Sequence, residues 1–374
     1  DYIIDPNSSD RYPLTEDYLS VHVLTVETNK DYYKEGDMLS IKVEIKNNGL
    51  MTFDPTKEKL VVNITDPNNS YISGAFRGVH TLSLQPGETE TVNFYVNPQT
   101  IPSGWIEGNY KVYVSVYSTR VPLGYLTGGQ NSDTTFIVDN TPPTKPTGLQ
   151  RKNGSGETFA CGSTAQRQAM IPVWDDITTN DPSFSHFEYS SFNADGSQGK
   201  DEMILYTSEF ESGWVAPVDG TYGYTVRSVD KAGNKSAWAY GGETLEDSCK
   251  ITYDSIGPVV TLTSPEDNYY TNRTSVRQEW TTTATDVDHY EYRSCKNNPS
   301  VDGVCTPIYS ETTENQYRTV HNNNISFWWQ VRGIDNVGNK GAWSEARKIT
   351  IDTIAPDTPE IEYPLPESYF NSSP

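Results

Sequence analysis

The side chains best suited to do chemistry are carboxylates. Asp139, Asp175, Asp230, Asp254, Asp286 and Asp335 fall in turn-rich stretches. Brought together, such hard oxygen ligands would suit Ca²⁺, which takes six to eight oxygens. No loop spells a complete calcium motif, and Asn193-Ala-Asp-Gly-Ser is a partial match. The four cysteines, Cys161, Cys249, Cys295 and Cys305, lack Cys-x-x-Cys spacing. That spacing argues against zinc or dithiol redox chemistry and for two disulfides in an oxidising compartment, with buried free thiols as the alternative. Trp105, Trp214 and Trp328 could stack on sugar rings, or simply be buried against loops. Sequons at Asn7, Asn63, Asn68, Asn153, Asn234, Asn272, Asn324 and Asn371 are candidate glycan acceptors.

Catalytic constellations do not assemble from the remaining residues. His22, His80, His186, His289 and His321 show no His-Glu-x-x-His spacing, and no Gly-x-Ser-x-Gly elbow occurs. Gly233-Asn-Lys-Ser lacks the upstream glycine of a phosphate loop. Asp201-Glu202 reads as a pair of ordinary loop carboxylates. The reading is therefore a non-enzyme.

The elements that must position these residues are strands. Aromatics make up 12% of the chain, 25 residues of it Tyr, and Thr and Val outweigh helix formers. Branched and aromatic side chains pack well on a pleated surface, so the composition predicts an all-β fold. The net charge of −22 repels phosphate backbones and argues against nucleic-acid binding. No apolar run approaches the ~18 residues of a transmembrane helix. The first residue is Asp1 rather than Met, so any signal peptide is expected to have been removed already.

A long repeat organises the chain. Val226-Arg-Ser-Val-Asp-Lys-Ala-Gly-Asn-Lys-Ser-Ala-Trp238 returns 105 residues later as Val331-Arg-Gly-Ile-Asp-Asn-Val-Gly-Asn-Lys-Gly-Ala-Trp343. Upstream of each copy come a Trp (Trp174, Trp280), a His-x-Glu-Tyr (from His186 and His289) and an aromatic run (from Tyr222 and Phe327). Downstream, each closes on Asp and Pro: Asp254/Pro258 and Asp352/Pro356, with an earlier relative at Asp139/Pro143. The periods, 115 and 98 residues, suit a seven-stranded sandwich of ~100 residues. Proline after the last strand stiffens each linker, because its φ is fixed. This predicts tandem sandwiches in an extended rod. Tyr363 to Asn371 echoes Leu262 to Asn272, so residues 353–374 read as the start of a further, truncated repeat of a longer protein. The expected domains are 18–140, 141–254 and 255–352, preceded by an extended arm at 1–17.

From about Thr144 onward the repeat resembles fibronectin type III and related bacterial Ig-like modules. Residues 18–140, with Glu35-Gly-Asp and Leu84-Gln-Pro-Gly-Glu, resemble Ig-like domains of bacterial and archaeal surface proteins. The resemblance implies that Trp174 and Trp280, Tyr189 and Tyr292, and the inward run Tyr222, Tyr224, Val226 (Phe327, Trp329, Val331) are core. It places the thirteen-residue motif at the end of strand F, the F–G turn and the start of strand G. Asp230 and Asp335 would cap that turn, Gly233 and Gly338 would take positive φ, and Arg227 and Arg332 would stack on Trp238 and Trp343. The F–G turn lies at the pole where a sandwich's chain enters. Asp230 should thus lie near Asp139 and Asp335 near Asp254, joined by the B–C loop residues Asp175, Asp176 and Asp181 in one copy and Asp286 and Asp288 in the next. Calcium or turn capping could follow. Cys161–Cys249 would tie the first-strand region to the last strand, and Cys295–Cys305 would close a loop. Three functions remain open. The first is an extracellular structural component of a surface layer, filament or stalk, partnered by copies of itself or other cell-surface proteins. The others are an adhesin or glycan-binding accessory region, and a hydrolase with its catalytic segment elsewhere.

Overall fold

The computed structural model describes residues 2–4, 11–13, 18–72, 77–120, 126, 130–177, 181–199, 203–210, 213–241, 244–299, 308–321 and 324–360. Among them the only helical segment is a 3₁₀ turn, Ala239–Gly241. The fold is all-β, as the composition predicts. The chain divides into two compact units. Asp1–Cys161, Ile171–Gly213 and Gly223–Lys250 form one; Gly162–Met170, Trp214–Tyr222 and Ile251–Pro374 form the other.

The first unit opens with a small hairpin, β1 (Tyr2–Ile4) against β2 (Arg11–Pro13). The rest of the arm lies outside the described residues. Then come β3 (Val21–Thr28), β4 (Tyr32–Tyr33), β5 (Met38–Asn47), β6 (Glu58–Thr65), β7 (Arg77–Thr81), β8 (Thr89–Thr100), β9 (Gly108–Ser118) and β10 (Gln130–Val138). They make two sheets, ordered β3-β5-β8 and β4-β10-β9-β6-β7. The short β4 runs parallel to β10, while β9 pairs antiparallel with β10. Period-2 alternation decides which face is buried. In β5, Leu39, Ile41, Val43 and Ile45 are fully buried, and in β9 so are Val112, Val114 and Val116. Each such side chain contributes roughly 1.5–3 kcal/mol of burial.

The middle stretch repeats this plan with β11 (Gln150–Asn153), β12 (Thr158–Ala160), β13 (Thr164–Gln166), β14 (Met170–Val173), β15 (Phe184–Phe192), β16 (Met203–Leu205), β17 (Gly220–Asp230) and β18 (Cys249–Asp254). Its five-stranded sheet is ordered β13-β18-β17-β15-β16, its smaller one β12-β11-β14. The division between the two units runs through this sandwich.

The second unit ends with β19 (Val260–Ser264), β20 (Tyr269–Thr271), β21 (Ser275–Thr282), β22 (Val287–Cys295), β23 (Ile308–Thr312), β24 (Gln316–Val320), β25 (Ile325–Asp335) and β26 (Arg347–Ile351). The sheets are β19-β21-β24 and β20-β26-β25-β22-β23. The five-stranded order is thus the same three times, each with a short strand parallel to the last one. That is the arrangement of tandem fibronectin type III-like sandwiches, and residues 18–140 share it. Strands β9, β17 and β25 hold the F place; β10, β18 and β26 hold the G place. Trp174, Trp280, Tyr189, Tyr292 and the two aromatic runs are all buried, as the resemblance implies.

Candidate functional site

The F–G turn is built the same way in both copies. Gly233 and Gly338 take φ of 83° and 90°, which a residue with Cβ rarely adopts. The turn closes through Gly233 N–H donating to Asp230 O and Gly338 N–H to Asp335 O, each at 3.1 Å. Asp230 and Asp335 are each only 2% exposed. A charge so buried must be met by donors. Asp230 Oδ1 accepts from Asn234 N–H at 2.8 Å, and its Oδ2 accepts from Asn234 Nδ2 at 2.9 Å. Asp335 accepts from Asn339 N–H and Nδ2, both at 2.8 Å, and from Val337 N–H at 3.0 Å.

The second hydrogen of each asparagine amide goes to a linker. Asn234 Nδ2 donates to Asp139 O at 2.8 Å, within the first unit. Asn339 Nδ2 donates to Asp254 O at 3.1 Å, within the second. Each asparagine is therefore a latch between the turn aspartate and the chain entering the sandwich. The linker aspartates cap their own turns: Asp139 Oδ1 accepts from Thr141 N–H and Asp254 Oδ1 from Ile256 N–H, each at 3.0 Å. A preceding carboxylate clamps the next linker residue. Glu107 accepts from Asn140 N–H and Thr141 Oγ1, and Asp219 accepts from Ser255 N–H and Oγ. At the first latch, Lys34 Nζ also donates to Gly233 O at 2.6 Å, and Lys231 lies over the Tyr32 ring.

The expected approach of Asp230 to Asp139 and of Asp335 to Asp254 is present, but the two poles differ in their third member. Lys231 N–H donates to Ser183 O, and Asn336 N–H donates to Asp286 O, each at 2.8 Å. Ser183 thus stands where the second copy has Asp286. Ligand oxygens of Asp254, Asp286 and Asp335 all lie within 4.8 Å of one another. Asp175 forms no such group with Asp139 and Asp230 among the described residues. Its carboxylate instead accepts from Thr147 Oγ1 at 2.7 Å. Burial, and after it the neighbouring Asp230 charge, push the Asp139 carboxyl above its ordinary value.

Behind each turn sits a brace. Arg227 Nε donates to Glu188 at 2.6 Å, Lys235 Nζ pairs with the other carboxylate oxygen at 2.8 Å, and the guanidinium lies 4.2 Å from the Trp238 ring centroid. In the second copy Arg332 and Lys340 share Glu291, and Arg332 lies 4.5 Å from the Trp343 centroid. The Arg–Trp stacks are those expected from the motif. Arg293 lies over Trp343 as well, at 4.2 Å. Burial works against the charge on Glu188 and Glu291. The hydrogen bonds from Lys235 and Arg227, and from Lys340 and Arg332, outweigh it and hold both carboxyls below the usual range. His289, Glu291 and Glu311 also come close enough to share a cation. Glu291 is already neutralised by two basic residues.

Cys161 and Cys249 form a disulfide with Cα atoms 4.9 Å apart, joining the residue after β12 to the start of β18. Cys295 is disulfide-bonded, and its expected partner Cys305 lies outside the described residues. Trp105 stacks on Tyr110 at 4.9 Å, and Lys348 lies over Trp328. Trp214 is 39% exposed and meets Tyr222 edge-on. Among the sequons, Asn68, Asn272 and Asn324 are exposed and Asn63 is half-buried on β6. Asn153 and Asn234 are buried, with both amides bonded, so neither offers a glycan acceptor in the folded chain. Asn7 and Asn371 lie outside the described residues. The asparagine latch itself is not read from the sequence, which marks Asn234 and Asn339 as turn formers. The signal was their recurrence one residue after the turn glycine.

No family model matches the chain, and no curated protein matches it. Among solved structures, it is similar to the FN1–FN3 domains of chicken CNTN1 at 10% identity, over 89% of this chain and 98% of that one, with a TM-score of 0.29. It is also similar to the fibronectin(III)-like modules of Clostridium thermocellum CbhA at 14% identity, over 52% of this chain and 90% of that one, with a TM-score of 0.28. At such scores the assignment rests on the strand order and the cores described above.

Proposed function

We propose that this chain is a non-catalytic extracellular structural segment, of the kind used in surface layers, filaments or stalks, whose junctions are held by asparagine latches. One observation carries this reading. The same Asp–Asn pair reaches the same linker carbonyl at two junctions, Asp139/Asn234 and Asp254/Asn339. A linker with its carbonyl bonded, its aspartate capped and its proline fixed has few backbone states left. Oxidised cysteines favour the extracellular setting. The carboxylates serve as turn caps, because the oxygens of Asp230 and Asp335 are occupied by amide donors.

The test is small-angle scattering on the Asn234→Ala/Asn339→Ala chain. Loss of the latches should broaden the distribution of interatomic distances. An unchanged profile would remove the reading. If a divalent cation adds to this role, it does so where Asp254, Asp286 and Asp335 converge. A calcium titration that leaves the melting temperature unchanged would exclude it. The alternative, a glycan-binding region, rests on the exposed Trp214, and a glycan array without hits would dismiss it.

A further inference from the structure

The linker pole occurs three times, and among the described residues no turn lies on the third copy. Asp352 follows β26 as Asp139 follows β10 and Asp254 closes β18. Its Oδ1 accepts from Ile354 N–H at 3.0 Å, matching the Asp139–Thr141 and Asp254–Ile256 bonds. Its N–H donates to Thr271 O at 3.0 Å, as Asp139 N–H donates to Tyr33 O at 2.8 Å. The surroundings differ. Pro143 and Pro258 are buried, whereas Pro356 is exposed. Asp139 and Asp254 are half-buried, whereas Asp352 is exposed. No described residue donates to the Asp352 carbonyl oxygen, and Thr353 Oγ1 is buried without a partner. Asn324, just before β25, takes the place of the clamping Glu107 and Asp219. Together with Ser326, Thr350, Asp352, Ile354 and Pro356 it lines an open cleft of about 620 Å³.

We propose that this pole is a receptor for an F–G turn of the Asp-x-x-Gly-Asn kind, carried by a further sandwich of the same repeat that continues from Pro356. This rests on the latch reading above. The turns at Asp230 and Asp335 are each engaged within their own unit, so neither is the free donor. The echo of Leu262–Asn272 in residues 363–371 supplies the source. The linker chemistry selects the hairpin. Gly257 lies so close to Gly341 and Lys340 that a Cβ there would collide with their backbone. Ala355 carries a Cβ at the equivalent position, as Pro142 does in the first linker. The incoming hairpin therefore follows the pattern of Ser228 and Ser236 rather than that of Gly333 and Gly341.

The experiment replaces residues 357–374 with a second copy of residues 144–254, whose oxidised cysteine pair, read by mass, reports that it has folded. Hydrogen exchange at Ile354 N–H reads whether the pole is covered. Exchange should slow by roughly tenfold or more, as for an amide withdrawn from solvent. Replacing the appended copy's equivalent of Asn234 by Ala should restore the original rate. An appended copy of residues 259–352, with its glycine hairpin, should protect less. Unslowed exchange in the folded extension overturns the proposal. The first junction is the control. If Asn234→Ala leaves exchange at Thr141 unchanged, the latch reading itself fails; if it speeds exchange while the extension gives no protection, only the receptor fails. A second measurement needs no appended domain. A disulfide-closed hairpin with the sequence of Val226–Trp238, added in excess to the present chain, should shift the Ile354 amide resonance, and its Asn→Ala version should not. An N-glycan on Asn324 in the native protein would fill the cleft and also overturn the proposal.

Discussion

The junction at Asp139 and the junction at Asp254 use one latch but pack it differently. At the first, Ser228 Oγ donates to the linker carbonyl of Thr144, and Ser228 N–H donates to Ser236 Oγ. At the second, Gly333 and Gly341 stand at those two positions, and the linker closes directly on their backbone. A Cβ on Gly341 would collide with Pro258 O, and one on Gly333 would sit 2.7 Å from Pro258 Cβ. The first junction thus places hydroxyls where the second closes the linker directly on glycine backbone. The difference shows that hydrogen bonding from the turn, and not the width of the gap, is what both junctions have in common.

The largest effect should come from exchanging these packing modes. Gly341→Ser overpacks the second junction and should destabilise the third sandwich by ~3 kcal/mol. The reciprocal Ser236→Gly should cost about 1–2 kcal/mol, from a lost hydrogen bond and added backbone freedom. Denaturant unfolding of the two variants checks the asymmetry, and equal losses would refute it.

Next come the latches. Asn234→Ala and Asn339→Ala each leave a buried aspartate short of a donor and a linker carbonyl unbonded, for about 1–3 kcal/mol apiece. Asn234 is buried and Asn339 only half-buried, so the first loss should be the greater in thermal unfolding.

Acid should separate the first linker aspartate from the brace glutamates of both copies by sign. Asp139 has a raised carboxyl pKa in the folded chain. Between the ordinary Asp value and that higher value the folded state holds the extra proton. Its contribution therefore falls as pH rises through that window and recovers on acidification. Asp139→Asn should remove this part of the pH profile. Glu188 and Glu291 behave oppositely: their folded values are lowered. Their contribution is complete above the ordinary Glu range and is lost as pH falls through the lowered values. Glu188→Gln and Glu291→Gln should each flatten the acid limb of a melting-temperature curve.

The smallest difference lies in the braces. A double-mutant cycle on Arg227 and Trp238 should give a coupling of about 0.5–1 kcal/mol. The cycle on Arg332 and Trp343 should give less, because Arg293 remains over the ring when Arg332 is removed.

Much of this was legible along the chain. Alternation in β5 and in the F strands located the cores, because a pleated strand sends every second side chain inward. The recurrent Asp-x-x-Gly-Asn located the turns, because only glycine accepts their backbone readily. That Ser183 meets the first F–G turn where Asp286 meets the second was not legible in the sequence. Which loop residue meets the turn is set where β15 pairs with β17 and β22 with β25, and spacing along the chain does not give that register. Reading Asn234 as an acceptor of glycans failed for a related reason, since burial decides whether an amide is spent inside or offered outside.

The sequence by itself determined the strand pattern, the turn chemistry and the Arg–Trp stacks, which follow from local periodicity or a recurring motif. Only the tertiary structure decided which carboxylates meet, where each asparagine amide spends its second hydrogen, and which linker proline stays exposed. Those depend on distances between segments about a hundred residues apart in the chain, such as Asp139 and Asn234. Spacing along the chain does not set those distances; packing of the sheets does.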